Sequence, residues 1–245
     1  MIYGWKKDLP DHRDVKYTYS IISLPEKADL RPDMPLVYDQ GQLGSCTANA
    51  GGAAFAYMHK KNQKELFMPS RLFIYYNTRM RDNTIKYDAG STIRSTIKAM
   101  VSYGAAHENL WPYDINKFAA KPLVKAYKDG RTNLVVSYYN VPQNEVAIKT
   151  SLAQGYPVVF GFSVYDSFES NKVAENGIVP MPSKDESLIG GHAVVLVGYD
   201  NQKRVFIVRN SWGDSWGDEG YCYMPYEYIL NRDLAADFWT IRLVN

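Results

Sequence analysis

The sequence predicts an α+β protein of two lobes, a mostly helical first lobe and a β-rich second lobe, with a cleft between them. Three observations carry that prediction. Segments with helical spacing fill the first half of the chain, short apolar runs with strand character fill the second, and no repeat or low-complexity tract intervenes. A length of 245 residues suits one large domain or two lobes. A hydrophobic fraction of 46% beside 22% charged residues marks a globular chain, neither disordered nor fibrous.

Residues 1–28 form a polar segment of their own, with Pro10, Pro25 and several aromatics. Pro32 and Pro35 then mark an extended lead-in to a loop at Gln40. Cys46 closes that loop and opens a run of small residues, Ala48 to Ala56, that reads as a helix allowing close backbone approach. Ser70 caps a second helix beginning at Arg71, and the loop 88–90 precedes a third with Ile93, Ile97, Met100 and Val101 on one face. Gly104, Trp111 and Pro112 end this half. Beyond it, 134–139, 157–164, 192–199, 205–208 and 221–224 read as strands, with one helix near 143–154. The main domain is therefore set at 29–245, its helical lobe at about 40–130 and its β-rich lobe at about 131–245.

Several function classes are excluded. A net charge of +2, scattered along the chain, gives no basic block for nucleic acid. The longest apolar runs fall far short of the ~20 residues that span a bilayer, and the N-terminus lacks the apolar stretch of a signal peptide. Two cysteines exclude a disulfide framework, and with four histidines they match no zinc pattern. There is no nucleotide-binding glycine loop and no Gly-x-Ser-x-Gly elbow. The chain is expected to need no metal or cofactor, to bind neither nucleic acid nor membrane, and to act as a monomer. A reducing interior suits the absent disulfides, which favours a cytoplasmic location.

Cys46 at a helix start faces unpaired backbone N–H groups and the positive end of the helix dipole, both of which favour a nucleophilic thiolate. Such a thiolate needs a base, and the base needs a third group to fix its ring. His192, delivered by Gly190-Gly191 to the first residue of an apolar strand, is placed at that strand's mouth. Asn210 ends the next strand, and a hairpin through 200–204 brings the two side by side.

These residues resemble the papain-like cysteine peptidases. The matching stretches are Gln40-Gly41-x-x-Gly44-Ser45-Cys46, His192-Ala193-Val194 closing on Val197-Gly198-Tyr199, and Asn210-Ser211-Trp212-Gly213-x-x-Trp216-Gly217-x-x-Gly220-Tyr221. Tyr103-Gly104 followed by Trp111-Pro112-Tyr113 fits as well, so the resemblance runs from about Asp29 to the C-terminus. It implies a papain-like two-lobed fold and hydrolysis of peptide or protein substrates. Residue by residue it implies Cys46 as nucleophile, His192 as its acid–base partner and Asn210 as the group orienting His192. The Gln40 amide with the Cys46 N–H would form the oxyanion hole, and Trp212 would shield the His192–Asn210 bond. Ala89, Gly90 and Gly191 would face the substrate backbone. The family usually has cysteine where Leu43 stands and an aromatic where Thr47 stands. The chain is thus similar to a disulfide-free bacterial or viral branch. Endopeptidase activity leads; amidase, exopeptidase or transpeptidase chemistry on the same site, or an inactive peptide-binding module, are the alternatives.

Other residues have plainer readings. Cys222, between tyrosines in a strand, is an inert core thiol. His59 reads as a solvated charge at a helix end, His107 as a surface loop residue, and Lys60, Lys61 and Lys64 as a wet helix face. Asp214, Asp218 and Glu219 match no EF-hand loop and read as a solvated turn. Residues 1–28 resemble a short pro-segment: the piece from Trp5 to Asp14 either crosses the cleft and lowers activity or straps the lobe surface away from Cys46.

Overall fold

The computed structural model describes residues 2–20, 23–62 and 67–245. The predicted two-lobed α+β architecture is present: the first half of the chain is mostly helical and packs against one face of a sheet whose strands lie mainly in the second half. α1 (Cys46–Lys61) is buried on nearly every face, which its alanines and glycines permit. A Cβ on Gly51 would come within 3.0 Å of the Thr96 side chain and 3.1 Å of the Met100 side chain, so a larger residue there would have to shift those neighbours. α2 (Arg71–Arg81) starts where Ser70 Oγ accepts the Phe73 N–H, and α3 (Ile93–Tyr103) where Thr92 Oγ1 accepts the Ser95 N–H. Each hydroxyl satisfies an otherwise orphaned helix donor. Gly104, at φ +74°, turns the chain out of α3. After α4 (Val124–Gly130) the chain enters the sheet.

Among the described residues the strands form one antiparallel sheet. β1 (Lys27–Asp29) lies against β4, and the order of the others is β2 (Val135–Asn140), β7 (Ala235–Val244), β3 (Val158–Tyr165), β4 (Leu188–Asp200), β5 (Val205–Arg209) and β6 (Tyr221–Pro225). α5 (Glu145–Ala153) precedes β3, capped by Asn144, while α6 (Asn171–Asn176) and α7 (Tyr226–Leu230) follow β3 and β6. The inner strands are buried on both faces, which explains their nearly unbroken apolar runs. Val159, Ala193, Val195, Val197 and Ile207 pack toward α1–α3. The alternate residues Val158, Phe160, Val194, Leu196 and Val208 join a second core with Ile148 of α5 and Ile229 of α7.

Two strands were not anticipated. β1 is only three residues, and β7 carries Asp237, Thr240 and Arg242 among its apolar residues, with a register shift where it pairs β3. β4 also begins four residues before His192, so His192 is the fifth residue of the strand and not its first. Gly190 and Gly191 pair with Val164 and Ser163 and continue the ladder past it. His59 is likewise not solvated. It is 8% exposed and packs between Phe55 and Phe67, with ring centroids 6.3 and 4.9 Å away.

Candidate active site

The first wall of the cleft is the loop from Asp39 to Cys46. Gly41 turns at φ +56° with its N–H on Asp39 Oδ1, and the Asp88 carboxylate accepts the Gly44 N–H at 2.9 Å. Asn49 Nδ2 donates to both the carbonyl and the hydroxyl of Ser45. The Ser45 hydroxyl meets Tyr113 OH, which donates in turn to the Gln40 carbonyl at 2.9 Å. The loop ahead of Cys46 is therefore pinned from α1, from Asp88 and from Tyr113, and Cys46 starts α1 fully buried.

The second wall is β4 and the segment leaving β5. His192 Nε2 and Asn210 Oδ1 lie 2.8 Å apart, and the same oxygen accepts the Ser211 N–H. Because Asn210 Oδ1 can only accept, Nε2 carries the proton, and Nδ1 faces away from Asn210. Nδ1 is buried without a hydrogen-bond partner among the described residues. Trp212 stacks on the imidazole at 5.1 Å and 27°, and Phe162 approaches it edge-on at 5.8 Å, so the His192–Asn210 bond is closed off from water.

Gln40 joins the walls. Its N–H donates to the Ser211 carbonyl at 2.9 Å, and its Oε1 accepts the Ser211 hydroxyl at 2.8 Å. That second bond fixes the amide orientation and leaves Nε2 toward the cleft, donating to the Leu43 carbonyl at 3.0 Å and to the Ile2 carbonyl at 3.2 Å.

Ile2 belongs to an N-terminal strap that runs between the two walls. The Gly4 carbonyl accepts the Ser91 N–H and the Lys6 N–H returns to the Ser91 carbonyl, while the Trp5 N–H donates to the Gly191 carbonyl at 3.0 Å. Tyr3 lies edge-on to His192 at 5.9 Å. The fit leaves Gly4 no room for a side chain: a Cβ there would fall 1.8 Å from the Gly44 carbonyl oxygen. Backbone N–H groups of Ala193, Gly4, Thr47 and Cys46 itself point at the Cys46 sulfur.

With the strap in place the electrostatics differ from those anticipated. Burial raises the Cys46 thiol to about 11, outweighing the N–H donors that pull it down. Burial likewise lowers His192 to about 4, against a smaller upward pull from Asn210. For both groups desolvation outweighs what the backbone donors and Asn210 restore, so burial under the strap disfavours their charged forms.

Cys46, Gln40, His192, Asn210 and Trp212 thus converge, and Gly191 contacts the strap directly. Gly90 is buried beneath Gly4, at φ +63°, and a Cβ on it would strike the Gly4 carbonyl oxygen. Ala89 is half-buried beside it, and the strap's backbone bonds on this side go to Ser91. Ser91, Ser211 and Tyr113 were not singled out by the sequence; Ser211 and Tyr113 lay inside stretches already noted, and Ser91 directly follows Gly90. Among the described residues no cluster of three or more histidine, cysteine or carboxylate side chains suited to a metal occurs. Asp218 faces Arg31 at 3.3 Å, and Lys60 pairs Asp33 at 2.9 Å; Lys64 lies outside the described residues. His107 is half-exposed and pairs with Asp129 at 2.9 Å.

A family model described as papain family cysteine protease matches residues 24–234, most of the chain. The chain belongs to that family. It is 43% identical to xylellain, a cysteine protease from Xylella fastidiosa, whose solved structure it matches over 99% of this chain and 96% of that one at a TM-score of 0.93. It is 41% identical to an uncharacterized peptidase C1-like protein, L477, of Acanthamoeba polyphaga mimivirus, over 99% of this chain and 87% of that protein. Digestive procathepsin L 3 of Tenebrio molitor shares the fold at a TM-score of 0.73 and 21% identity, covering 94% of this chain and 75% of that one. The protein is therefore a papain-family cysteine peptidase, acting on peptides or proteins. As in the disulfide-free reading, both cysteines are free. Leu43, where this family usually has cysteine, is buried at 3% exposure and fills the space with apolar contact. No helix among the described residues is long and apolar enough to cross a membrane.

Proposed function

We propose that this papain-family protease is an endopeptidase working through Cys46 and His192 and restrained by its own N-terminal strap. One observation carries the reading: a peptide carbonyl, that of Ile2, accepts the Gln40 Nε2–H beside Cys46. That is the hydrogen bond an oxyanion hole offers to a reacting carbonyl. When the strap leaves, water and the substrate restore polarity to the site, and the Cys46 proton passes to His192 Nδ1. The thiolate sulfur attacks the scissile carbon and the carbonyl π pair moves onto oxygen, where Gln40 Nε2–H and the Cys46 N–H hold it. Collapse expels the amine, which takes the proton from His192 Nδ1 and leaves a thioester on Cys46. His192 then removes a proton from water, which attacks the thioester, and the second collapse returns the thiolate. Asn210 holds the ring by Nε2 and so leaves Nδ1 free for proton exchange with the sulfur, and Trp212 keeps water off their bond.

The strap suits restraint because it fills the oxyanion position with Ile2, the backbone positions at Gly191 and Ser91 with residues 4–6, and the sulfur's donor with the Gly4 N–H. Internal cleavage suits a cleft that holds an extended stretch of chain continuing beyond it. The test has two arms on the full chain. An epoxysuccinyl-peptide thiol reagent followed by intact-mass analysis should give one adduct on Cys46, lost in His192→Ala. A peptide blocked at both ends should be cut at an internal bond. No adduct and no cleavage, even after the strap is displaced by Gly4→Leu, would favour a peptide-binding module; cleavage only of peptides with a free terminus would favour an exopeptidase.

A further inference from the structure

Between α1, β4 and the segment leaving β5 lies a cavity in which the centre of a water molecule has about 10 Å³ to occupy. That is room for one water and for nothing larger. Its walls bring together Tyr38, Asn49 and Asn210. Two of these residues carry polar atoms that are buried without a hydrogen-bond partner among the described residues, the Tyr38 hydroxyl and Asn210 Nδ2. Tyr38 is 4% exposed and Asn210 2%. A buried polar group left unpaired costs more than a typical hydrogen bond contributes, so polar cavities of this size hold water where apolar ones stay dry.

We propose that one buried water fills this cavity, accepting hydrogen bonds from Asn210 Nδ2 and from the Tyr38 hydroxyl, and that Tyr38 is thereby a positioning residue for the Asn210–His192 bond. The proposal rests on the peptidase reading above and adds a residue to the machinery of that same site. The Asn210 amide is otherwise held at one end, where Oδ1 accepts from His192 Nε2 and from the Ser211 N–H. An amide held at one end rocks about its Cβ–Cγ bond and swings Oδ1 out of line with the imidazole N–H; a bond at Nδ2 stops that motion. Tyr38 is a firm anchor for the water. Its backbone carbonyl accepts the Gly213 N–H at 3.0 Å, and the guanidinium groups of Arg71 and Arg209 pack on its ring at 4.7 and 5.0 Å from the centroid. Burial raises the phenol to about 12, against the pull of Arg209 and Arg71 and with a smaller push from Glu108, so the hydroxyl keeps its proton and donates. Asn49 Oδ1, which accepts an Arg71 N–H at 3.2 Å, has a second lone pair for one of the water's own protons.

The experiment has two parts, both on the full chain. A high-resolution crystal structure should show one density peak about 2.7–3.2 Å from both the Tyr38 hydroxyl and Asn210 Nδ2. Turnover of a peptide blocked at both ends is then followed in the unsubstituted chain, Tyr38→Phe, Asn210→Ala and the double variant. The strap is common to all four, so its occupancy cancels from the ratios. Tyr38→Phe keeps the ring against both arginines and removes only the hydroxyl. It should lower kcat about threefold to tenfold, the range of one hydrogen bond, with KM little changed. Because Asn210 pulls the His192 pKa upward, a looser Asn210 supports the imidazolium less. The alkaline limb of the kcat/KM profile should therefore move down, by up to about one pH unit. In the Asn210→Ala background the same substitution should cost almost nothing. Where Asn210→Ala turns over too slowly to follow, the rate of Cys46 labelling by the epoxysuccinyl-peptide reagent gives the same comparison. Absence of a peak between the two groups would overturn the proposal. So would full kcat and an unshifted profile in Tyr38→Phe, or a loss that persists at full size in the Asn210→Ala background, where Tyr38 would act through its arginines instead. The peptidase reading fails differently: the unsubstituted chain cleaves no peptide and Cys46 takes up no epoxide, and the positioning role then falls with it whatever the density shows.

Discussion

Cys46 and Cys222 are both buried, both free and both raised as thiols, yet they are buried by different things. Cys222 lies inside the second core, and desolvation is its sole influence. Cys46 is covered by a strap whose Gly4 N–H joins three others at the sulfur. Removing the cover from Cys222 means unfolding the sheet; removing it from Cys46 means displacing a few residues of the N-terminal segment. Equal burial therefore says little about reactivity until the covering element is named.

Exchange of the two thiols tests this contrast most severely. Cys46→Ala should abolish peptide turnover, at least a thousandfold in kcat/KM, with little change in melting temperature. Cys222→Ala should retain turnover and cost about 1–2 kcal/mol of stability from the lost apolar contact, read by denaturant unfolding. Turnover lost in Cys222→Ala with an unaltered melt would break the comparison.

Removing the Ser211 hydroxyl should have a smaller effect. Ser211→Ala frees the Gln40 amide to turn, so kcat should fall about tenfold while KM changes less. Gln40→Ala should cost more, about a hundredfold to a thousandfold. Equal losses in KM and kcat for Ser211→Ala would point to a general loosening of the site.

The smallest effect is a pH slope. Asp237 holds its proton up to about 7 in the closed form, above the ordinary carboxylate value of 3.8. The contribution of the protonated group to closure is thus fully present below 3.8 and is lost as pH rises through 7. The rate of Cys46 labelling in the unsubstituted chain, divided by that in Asp237→Asn, should rise between pH 4 and 7. Taking the ratio removes the titrations of Cys46 and His192, and a flat ratio would detach Asp237 from closure.

The candidate cluster was legible in the sequence because its members lie in short stretches with their own local signals: a glycine-bearing loop into a helix for Cys46, and neighbouring strands for His192 and Asn210. The cover was legible only as one of two placements for the piece from Trp5 to Asp14, and its contacts were not legible at all. It depends on Gly4 meeting Gly44 and on Trp5 meeting Gly161 and Asp237, pairs separated by long stretches of chain with no shared periodicity. The thiol misled for the same reason. A helix start argues for a thiolate, but desolvation by a distant segment wins. His59 misled because lysines beside it suggested solvent while Phe55 and Phe67 enclose it. β7 escaped notice because the bulge at Asp237 interrupts its alternation.

Whether the strap covers a competent nucleophile can be read at Gly4. A leucine there cannot fit against the Gly44 carbonyl, so Gly4→Leu should expel the strap from the cleft without touching either wall. Intact-mass kinetics with the epoxysuccinyl-peptide reagent would be followed for both chains, their folding checked by thermal melts. A single adduct on Cys46 is expected, formed at least tenfold faster in Gly4→Leu, with Cys222 unmodified in both. Equal rates in two well-folded chains would contradict it.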